Sequence, residues 1–234
     1  MKKVLFFTNI FPHYRFAIWK KLINSNKFIL DIYFSPSNPL GIPTPDLKNL
    51  FDDKERTKFH FLKNYWLNKK NLIWQSDVLR LTAFSEFDYV MLLGEMYIIS
   101  SWIACLIAKI RGKKIYMWSH GLYGNESFIK KHVRLNFLKL ADIIFLYENR
   151  AKKLLVKNGF DESTLDVVYN SLDFDIHQKH YLKLKKENNT KVKRLFIDES
   201  LPTILFIGRI TEKKKIDLLI GAINKLNQTK ISYN

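Results

Sequence analysis

Cysteine is all but missing: Cys105 is the single one in 234 residues. A lone thiol excludes a disulfide framework and a cysteine-based zinc site, and it fits a reducing cytosol. A glycine-rich phosphate loop is missing too. After the first apolar run the chain reads Phe11-Pro-His-Tyr-Arg15. A nicotinamide or flavin enzyme would show G-x-G-x-x-G at that point, so its absence counts against both. No apolar run is long enough to span a membrane. The longest, residues 89–110, is broken by Gly94, Glu95 and Ser100-Ser101, and reads as strand plus helix. Residues 1–7 are basic and then apolar, but the run stops at Thr8-Asn9 without a small-residue cleavage site. It reads as a first strand rather than a signal peptide.

Acidic residues are also few, 22 against 39 Lys and Arg, which gives a formal net charge of +17. Such a surplus implies a polyanionic neighbour: nucleic acid, an anionic membrane face or phosphorylated substrates. Near anionic lipid each basic residue contributes about 1 kcal/mol. An AT-rich genome that supplies Lys wherever a polar residue is needed is the competing account, and the abundance of Lys, Asn, Ile and Phe suits it.

What is present is a core. At 47% hydrophobic and 15% aromatic residues the chain can bury enough surface to fold, and its length covers one full α/β domain plus part of another. Strands are expected at residues 3–8, 28–34, 58–62, 88–93, 114–118, 143–147 and 165–169. Helices are expected at 14–23, 72–84, 98–111, 128–140 and 150–157, the last ended by Gly159. Residues 35–45, rich in Pro and Ser, predict an irregular loop. Strict alternation of strand and helix predicts an open parallel sheet with helices on both faces, which fills residues 1–175. No internal repeat stands out. Residues 176–200 turn polar and predict an interdomain linker or a solvated helix. A second α/β unit starts near Pro202 and has only one strand and one helix, residues 201–234.

That last stretch carries the most chemistry. Residues 204–207 are wholly apolar, as in a strand buried on both faces of a sheet. Gly208 ends the run, and Ile216, Leu219, Ile220 and Ile223 recur at helical spacing. Arg209 and Lys214 thus stand at a strand-to-helix junction, where unpaired N–H groups and the helix dipole favour anions. Two cations there suit a diphosphate.

The string Ile204-Leu-Phe-Ile-Gly-Arg-Ile-Thr-Glu-Lys-Lys-Lys-Ile-Asp-Leu-Leu-Ile220 resembles the opening of the nucleotide-binding domain in the family 4 retaining glycosyltransferases, which have the two-domain GT-B fold. The resemblance implies that Arg209 and Lys214, with Gly208, hold the diphosphate of a nucleotide-sugar donor. Where the family often has Gly after this Lys, the chain has Lys215. The segment Ile115-Tyr-Met-Trp-Ser-His-Gly-Leu-Tyr-Gly124 is similar to the family segment whose His faces the donor sugar. It implies a catalytic His120 that hydrogen-bonds the sugar and stabilises the transition state, with Gly121 structural. A neutral imidazole can donate from one nitrogen and accept at the other. Residues 167–173 resemble the segment that closes the first domain, which gives Asn170 a structural role in the turn to the linker. Pro12 to Arg15 resembles a Pro-x-Tyr-Arg variant, implying acceptor contact by Tyr14 and Arg15. Glu95 either touches a sugar hydroxyl of the acceptor or simply favours the dipole of the next helix.

The resemblance spans the whole chain and implies a Rossmann-like GT-B N-terminal domain followed by a truncated second Rossmann-like domain. It implies transfer of a sugar from a nucleotide diphosphate to an acceptor hydroxyl with retention. The co-substrate replaces any cofactor, and no metal is needed. The acceptor would be a lipid-linked sugar or growing surface glycan, with the protein cytoplasmic and peripheral on the inner membrane face. The family's Glu-x7-Glu segment lies past Asn234, so weak donor binding and little turnover are expected of these residues alone. Two rivals are a non-catalytic half completed by a partner polypeptide and a basic module gripping nucleic acid or a membrane surface. The aromatics fall mostly within strand and helix patterns as core, which counts against nucleic acid.

Overall fold

The computed structural model describes residues 1–234 except 38–41, 45, 68–71, 171, 188–199, 209, 230–232 and 234. The chain divides into two compact units, Met1–Phe174 and Asp175–Asn234.

The strands of the first unit are β1 (Lys2–Phe7), β2 (Phe28–Phe34), β3 (Phe59–Phe61), β4 (Asn64–Leu67), β5 (Leu72–Gln75), β6 (Tyr89–Leu93), β7 (Lys114–Ser119), β8 (Ile143–Leu146) and β9 (Leu165–Val167). Seven form one sheet in the order β3-β2-β1-β6-β7-β8-β9, and every pair is parallel. The chain winds outward from β1 to β3, returns to place β6 beside β1, then winds the other way. That reversal is the switch point of a Rossmann-like, doubly wound α/β fold, and ligands of such sheets bind beyond the strands' carboxyl ends there.

Both faces of the sheet are buried because its strands alternate apolar residues with apolar residues. Leu5 and Phe7 of β1 join Val90, Leu92, Ile115, Met117, Ile144 and Leu146 in one core. Val4 and Phe6 face the other way and join Leu30, Ile32, Phe34 and Trp118. Helices α1 (Phe16–Ile23), α2 (Leu47–Leu50) and α3 (Asp53–Arg56) come from the first half of the winding. Helix α1 drives Trp19 into the second core against Phe6 and Phe11, with ring centroids 5.2 and 5.9 Å away. Helices α4 (Val78–Phe84), α5 (Ile99–Ile110), α6 (Phe128–Leu138) and α7 (Asn149–Lys157) supply Val78, Ala104, Ala108, Phe137, Leu138, Ala151 and Leu155 to the first core. Removing a buried side chain of Trp19's size would cost about 3–5 kcal/mol.

One expected helix, residues 72–84, begins only at Val78. Its first part is β5, which pairs antiparallel with β4 through Tyr65↔Trp74 and Trp66↔Ile73. A four-residue apolar run fits either period, and tertiary pairing decided for the strand. Ile73 and Gln75 are buried whereas Leu72 and Trp74 are not, the period of a strand.

Asp31 of β2 sits nearly buried between Lys3 and His60, at 3.2 and 3.7 Å. Burial pushes its carboxyl up, but the hydrogen bonds and charges of His60 and Lys3 outweigh that and hold it below the ordinary range. A depressed carboxyl contributes stability above its unfolded value, about 3.9, that is lost as pH falls through the folded value. Asp31→Asn is therefore expected to lower the urea midpoint near neutral pH and to flatten its fall on acidification. An unchanged acid limb in the variant would refute this.

In the second unit, α8 (Phe174–Lys186) answers the polar stretch with a helix that buries no residue. Helix α9 (Ile216–Thr229) turns Ile216, Leu219 and Ile223 partly inward, while Ile220 is exposed. The expected buried strand at residues 204–207 is not formed: those residues pair with no strand, and Leu205 and Ile207 are 75% and 84% exposed. A strand needs a neighbour to satisfy its backbone groups, and among the described residues of this unit there is none. Lys215 is left-handed at φ 51°. That conformation costs a residue with a Cβ about 1–2 kcal/mol, so Gly would be accommodated there with less strain than Lys.

Candidate functional site

A cavity of about 330 Å³ opens at the carboxyl ends of β1, β6, β7 and β8. Tyr14, Arg15, Glu95 and His120, from three separate loops, all line it. Trp66, Tyr97, Trp118 and Tyr147 add aromatic walls, and Thr8 and Asn9 form part of the rim.

The site is built by close approach between neighbouring strand ends. Beyond the β6–β7 ladder, Gly94 donates its N–H to the Trp118 carbonyl at 2.9 Å. The Ser119 hydroxyl donates to the Gly94 carbonyl at 3.1 Å and accepts the Gly121 N–H at 3.0 Å. One hydroxyl thus locks the residues that flank Glu95 and His120. A Cβ on Gly94 would fall 2.4 Å from Ser119 Cβ. Gly94→Ala is therefore expected to force the two strand ends apart at about 1–3 kcal/mol. Urea unfolding would measure that cost, and a variant as stable as the parent would show that the approach is not tight. Gly121 has φ +64° and lies against Ala151 and Leu146, so its expected structural role has a steric basis.

His120 stands at the cavity's open side. Its ring packs on Tyr147 with centroids 4.2 Å apart and stacks more loosely on Tyr123 at 5.9 Å. Although one face meets solvent, enough protein surrounds the imidazole that burial lowers its pKa below the ordinary 6.5. The charges of Arg15 and Arg134 lower it further, against Glu148. A lowered pKa favours the neutral ring.

Glu95 lines the same cavity without a hydrogen-bonding partner among the described residues. Burial raises its carboxyl above the usual range, against the pull of Arg134.

Arg15 is held by the protein itself. It donates to the Tyr147 hydroxyl at 3.0 Å and to Asn170 Oδ1 at 3.4 Å, and lies 4.9 Å over the Trp118 ring. The guanidinium therefore ties the ends of β7, β8 and β9 together. Asn170 takes part in that tie, whereas the left-handed residue of its turn is Tyr169, at φ 58°.

The cavity wall at the β1 exit loop depends on a feature the sequence concealed. Gln75 Nε2 donates to the Thr8 carbonyl at 3.1 Å and to Asn64 Oδ1 at 3.2 Å. Asn64 Nδ2 donates to the Asn9 carbonyl. The β4–β5 hairpin thus pins the exit loop of β1 and places Trp66 beside it. Tyr147 could have been found, since it follows a strand at the same sheet edge as His120. Trp66 had no such signal.

In the second unit, Gly208 is exposed, and Lys214 ends a single 3₁₀ turn (Glu212–Lys214) just ahead of α9. The lysine therefore stands beside a helix N-terminus, as its spacing implies. Arg209 lies outside the described residues.

No protein-family model matches the chain, and no curated protein matches its sequence. Solved structures do share its fold. The chain is similar to Alr3699/HepE from Anabaena in complex with UDP and glucose, with a TM-score of 0.58 at 12% identity over 96% of this chain and 58% of that one. It is similar to a glycosyltransferase from Rickettsia africae, TM-score 0.57 at 19% identity over 97% and 58% of the two chains. A third likeness is to UDP-GlcNAc 2-epimerase from Methanocaldococcus jannaschii, TM-score 0.51 at 14% identity over 99% and 64%. The chain thus spans about three fifths of these proteins' length. Its fold is α/β and GT-B-like.

Proposed function

We propose that this chain belongs to a nucleotide-sugar glycosyltransferase of the GT-B kind, and that its first unit binds the acceptor. One observation carries the reading. Tyr14, Arg15, Glu95 and His120 come from three separate loops yet line one cavity at the sheet's switch point. The cavity's make-up suits a sugar: broad aromatic walls, one carboxyl and one neutral imidazole able both to donate and to accept.

In this reading the acceptor hydroxyl oxygen bonds to the anomeric carbon as the bond to the diphosphate breaks, and the hydroxyl proton passes to the departing phosphate oxygen. His120 hydrogen-bonds the donor sugar, Glu95 and Tyr14 contact the acceptor, and Arg15 positions Tyr147 and Asn170 around them. Negative charge grows on the leaving diphosphate, where Arg209 and Lys214 offset it without a metal. Retention of configuration and membership of family 4 rest on the Gly208-Arg209…Lys214 and His120-Gly121 segments. The acceptor is a lipid-linked sugar or surface glycan, met at the inner face of the membrane. Among the described residues no helix is long and apolar enough to cross a membrane.

Equilibrium binding of UDP-, GDP- and dTDP-sugars tests the proposal. The chain should bind one class saturably and weakly, and Lys214→Ala should abolish it. A lack of saturable binding by this chain would sink it. A second reading, the non-catalytic half of a split transferase, draws support from Leu205, Ile207, Ile210 and Leu218, all exposed in the second unit. Co-purification with a polypeptide carrying Glu-x7-Glu would favour it.

A further inference from the structure

The loop that begins at His120 leads into α6, whose first turn faces solvent in an unusual way. Phe128 and Ile129 are 82% and 74% exposed, with Val133 and Tyr123 less so. The buried face of α6 is made by Arg134, Phe137 and Leu138, so Phe128 and Ile129 lie on the side away from the core. That turn holds no acidic residue, and Lys130 and Lys131 occupy it instead. Cations at a helix N-terminus oppose its dipole. The placement therefore disfavours the helix on its own and suits an external anion.

The surroundings continue the pattern. Lys131 and Lys157 line one groove with Leu122 and Leu154, and Lys157 also lines a second with Lys152 and Lys153. Lys157 joins the two into one strip in which four lysines face two carboxylates, Glu126 and Glu162; among the described residues only Lys152 of those lysines has an ion pair, with Glu162 at 3.3 Å. Exposed apolar side chains beside a basic strip match a bilayer's own layering, acyl chains below phosphate headgroups.

We propose that the start of α6, with the adjoining strip of Lys131, Lys152, Lys153 and Lys157, is the surface by which this protein docks on an anionic lipid bilayer. The proposal names the surface for the membrane-facing role given above and rests on that role, not on sugar transfer. Phe128 and Ile129 enter the headgroup boundary while the lysines meet lipid phosphates. Single-stranded nucleic acid is the other polyanion a basic, aromatic patch could meet. The aliphatic Ile129 and Val133 do not stack on bases, and the Phe128 ring already lies against His132, 6.1 Å between centroids.

Co-sedimentation of the chain with phosphatidylglycerol–phosphatidylcholine vesicles, without nucleotide or acceptor, tests this. Binding should exceed that to phosphatidylcholine alone by about tenfold or more and weaken steeply with salt. The pair Phe128→Ser and Ile129→Ser should remove most of it, as should Lys131→Glu with Lys157→Glu, with unfolding midpoints kept because these side chains are not core. Failure to bind anionic vesicles, binding that survives both variants, or single-stranded DNA binding that both variants abolish would overturn it. Nucleotide-sugar binding measured on the same samples separates this failure from failure of the transferase reading.

Discussion

Arg134→Ala should lower the free energy of unfolding by about 3–5 kcal/mol, the cost of stranding a buried charge. Arg134 is 4% exposed, yet it carries a guanidinium into the first core. It donates to the Gly121 carbonyl at 3.2 Å, lies 4.9 Å over the Tyr123 ring, and faces Glu126 at 3.8 Å. Glu126 is equally enclosed and accepts the N–H groups of Tyr123 and Gly124 at 2.8 and 2.9 Å. The pair thus braces the loop from His120 to α6. Burial pushes the Glu126 carboxyl up, but those N–H groups and Arg134 outweigh it, and its pKa is lowered. Its stabilising contribution is present above the unfolded value and fades as pH falls through the folded one. Truncating Arg134 leaves that carboxylate buried with only neutral donors. Urea unfolding of Arg134→Ala and of Arg134→Met/Glu126→Gln checks the idea. The double variant should recover part of the loss, since removing both charges costs less than removing one. A single-variant loss below about 1 kcal/mol, the range of exposed ion pairs, would contradict it.

Under the proposed function, His120→Ala should cut whatever sugar transfer the parent chain supports by about 10²–10³-fold, the usual effect of deleting one donor to developing charge. Unfolding should change by less than about 0.5 kcal/mol, the size expected away from core features. The ring makes no hydrogen bond to the described residues, so its removal leaves no buried partner unsatisfied. A fall in kcat with KM nearly unchanged would identify a role in the transition state. The pH profile adds a sharper test. Burial, Arg15 and Arg134 hold the imidazole below its ordinary value, so the acid limb should lie below pH ~6.5. Arg15→Met removes one of those charges and should move the limb upward, as a histidine NMR titration can follow directly. Transfer that survives His120→Ala, or a limb indifferent to Arg15→Met, would remove His120 from the chemistry.

Much of this arrangement was readable in the chain itself. Alternating apolar runs and polar junctions set the parallel sheet, because a strand with two buried faces is built mostly of apolar residues and holds a polar one, such as Asp31, only where partners meet it. The polar residues at the ends of β1, β6 and β7 then had to converge, since every strand of a parallel sheet ends on the same edge. Hence the convergence of Tyr14, Arg15, Glu95 and His120 on one cavity could be expected before any coordinates. Gly121 is marked only by the resemblance of its segment; its left-handed backbone against Ala151 belongs to the fold.

Other features depend on distances that no local pattern encodes. Residues 72–75 are a strand only because Asn64–Leu67 pairs with them, and Gln75 reaches the β1 exit loop across 67 positions of sequence. Arg15 reads as a free cation for an acceptor, yet Tyr147, Asn170 and Trp118 claim it. Residues 204–207 have every property of a buried strand except neighbours to bury them. Composition and period decide which residues can share a surface. Which groups meet across the fold, and so which charges are shielded and which pKa values move, is decided only when packing closes the space between them.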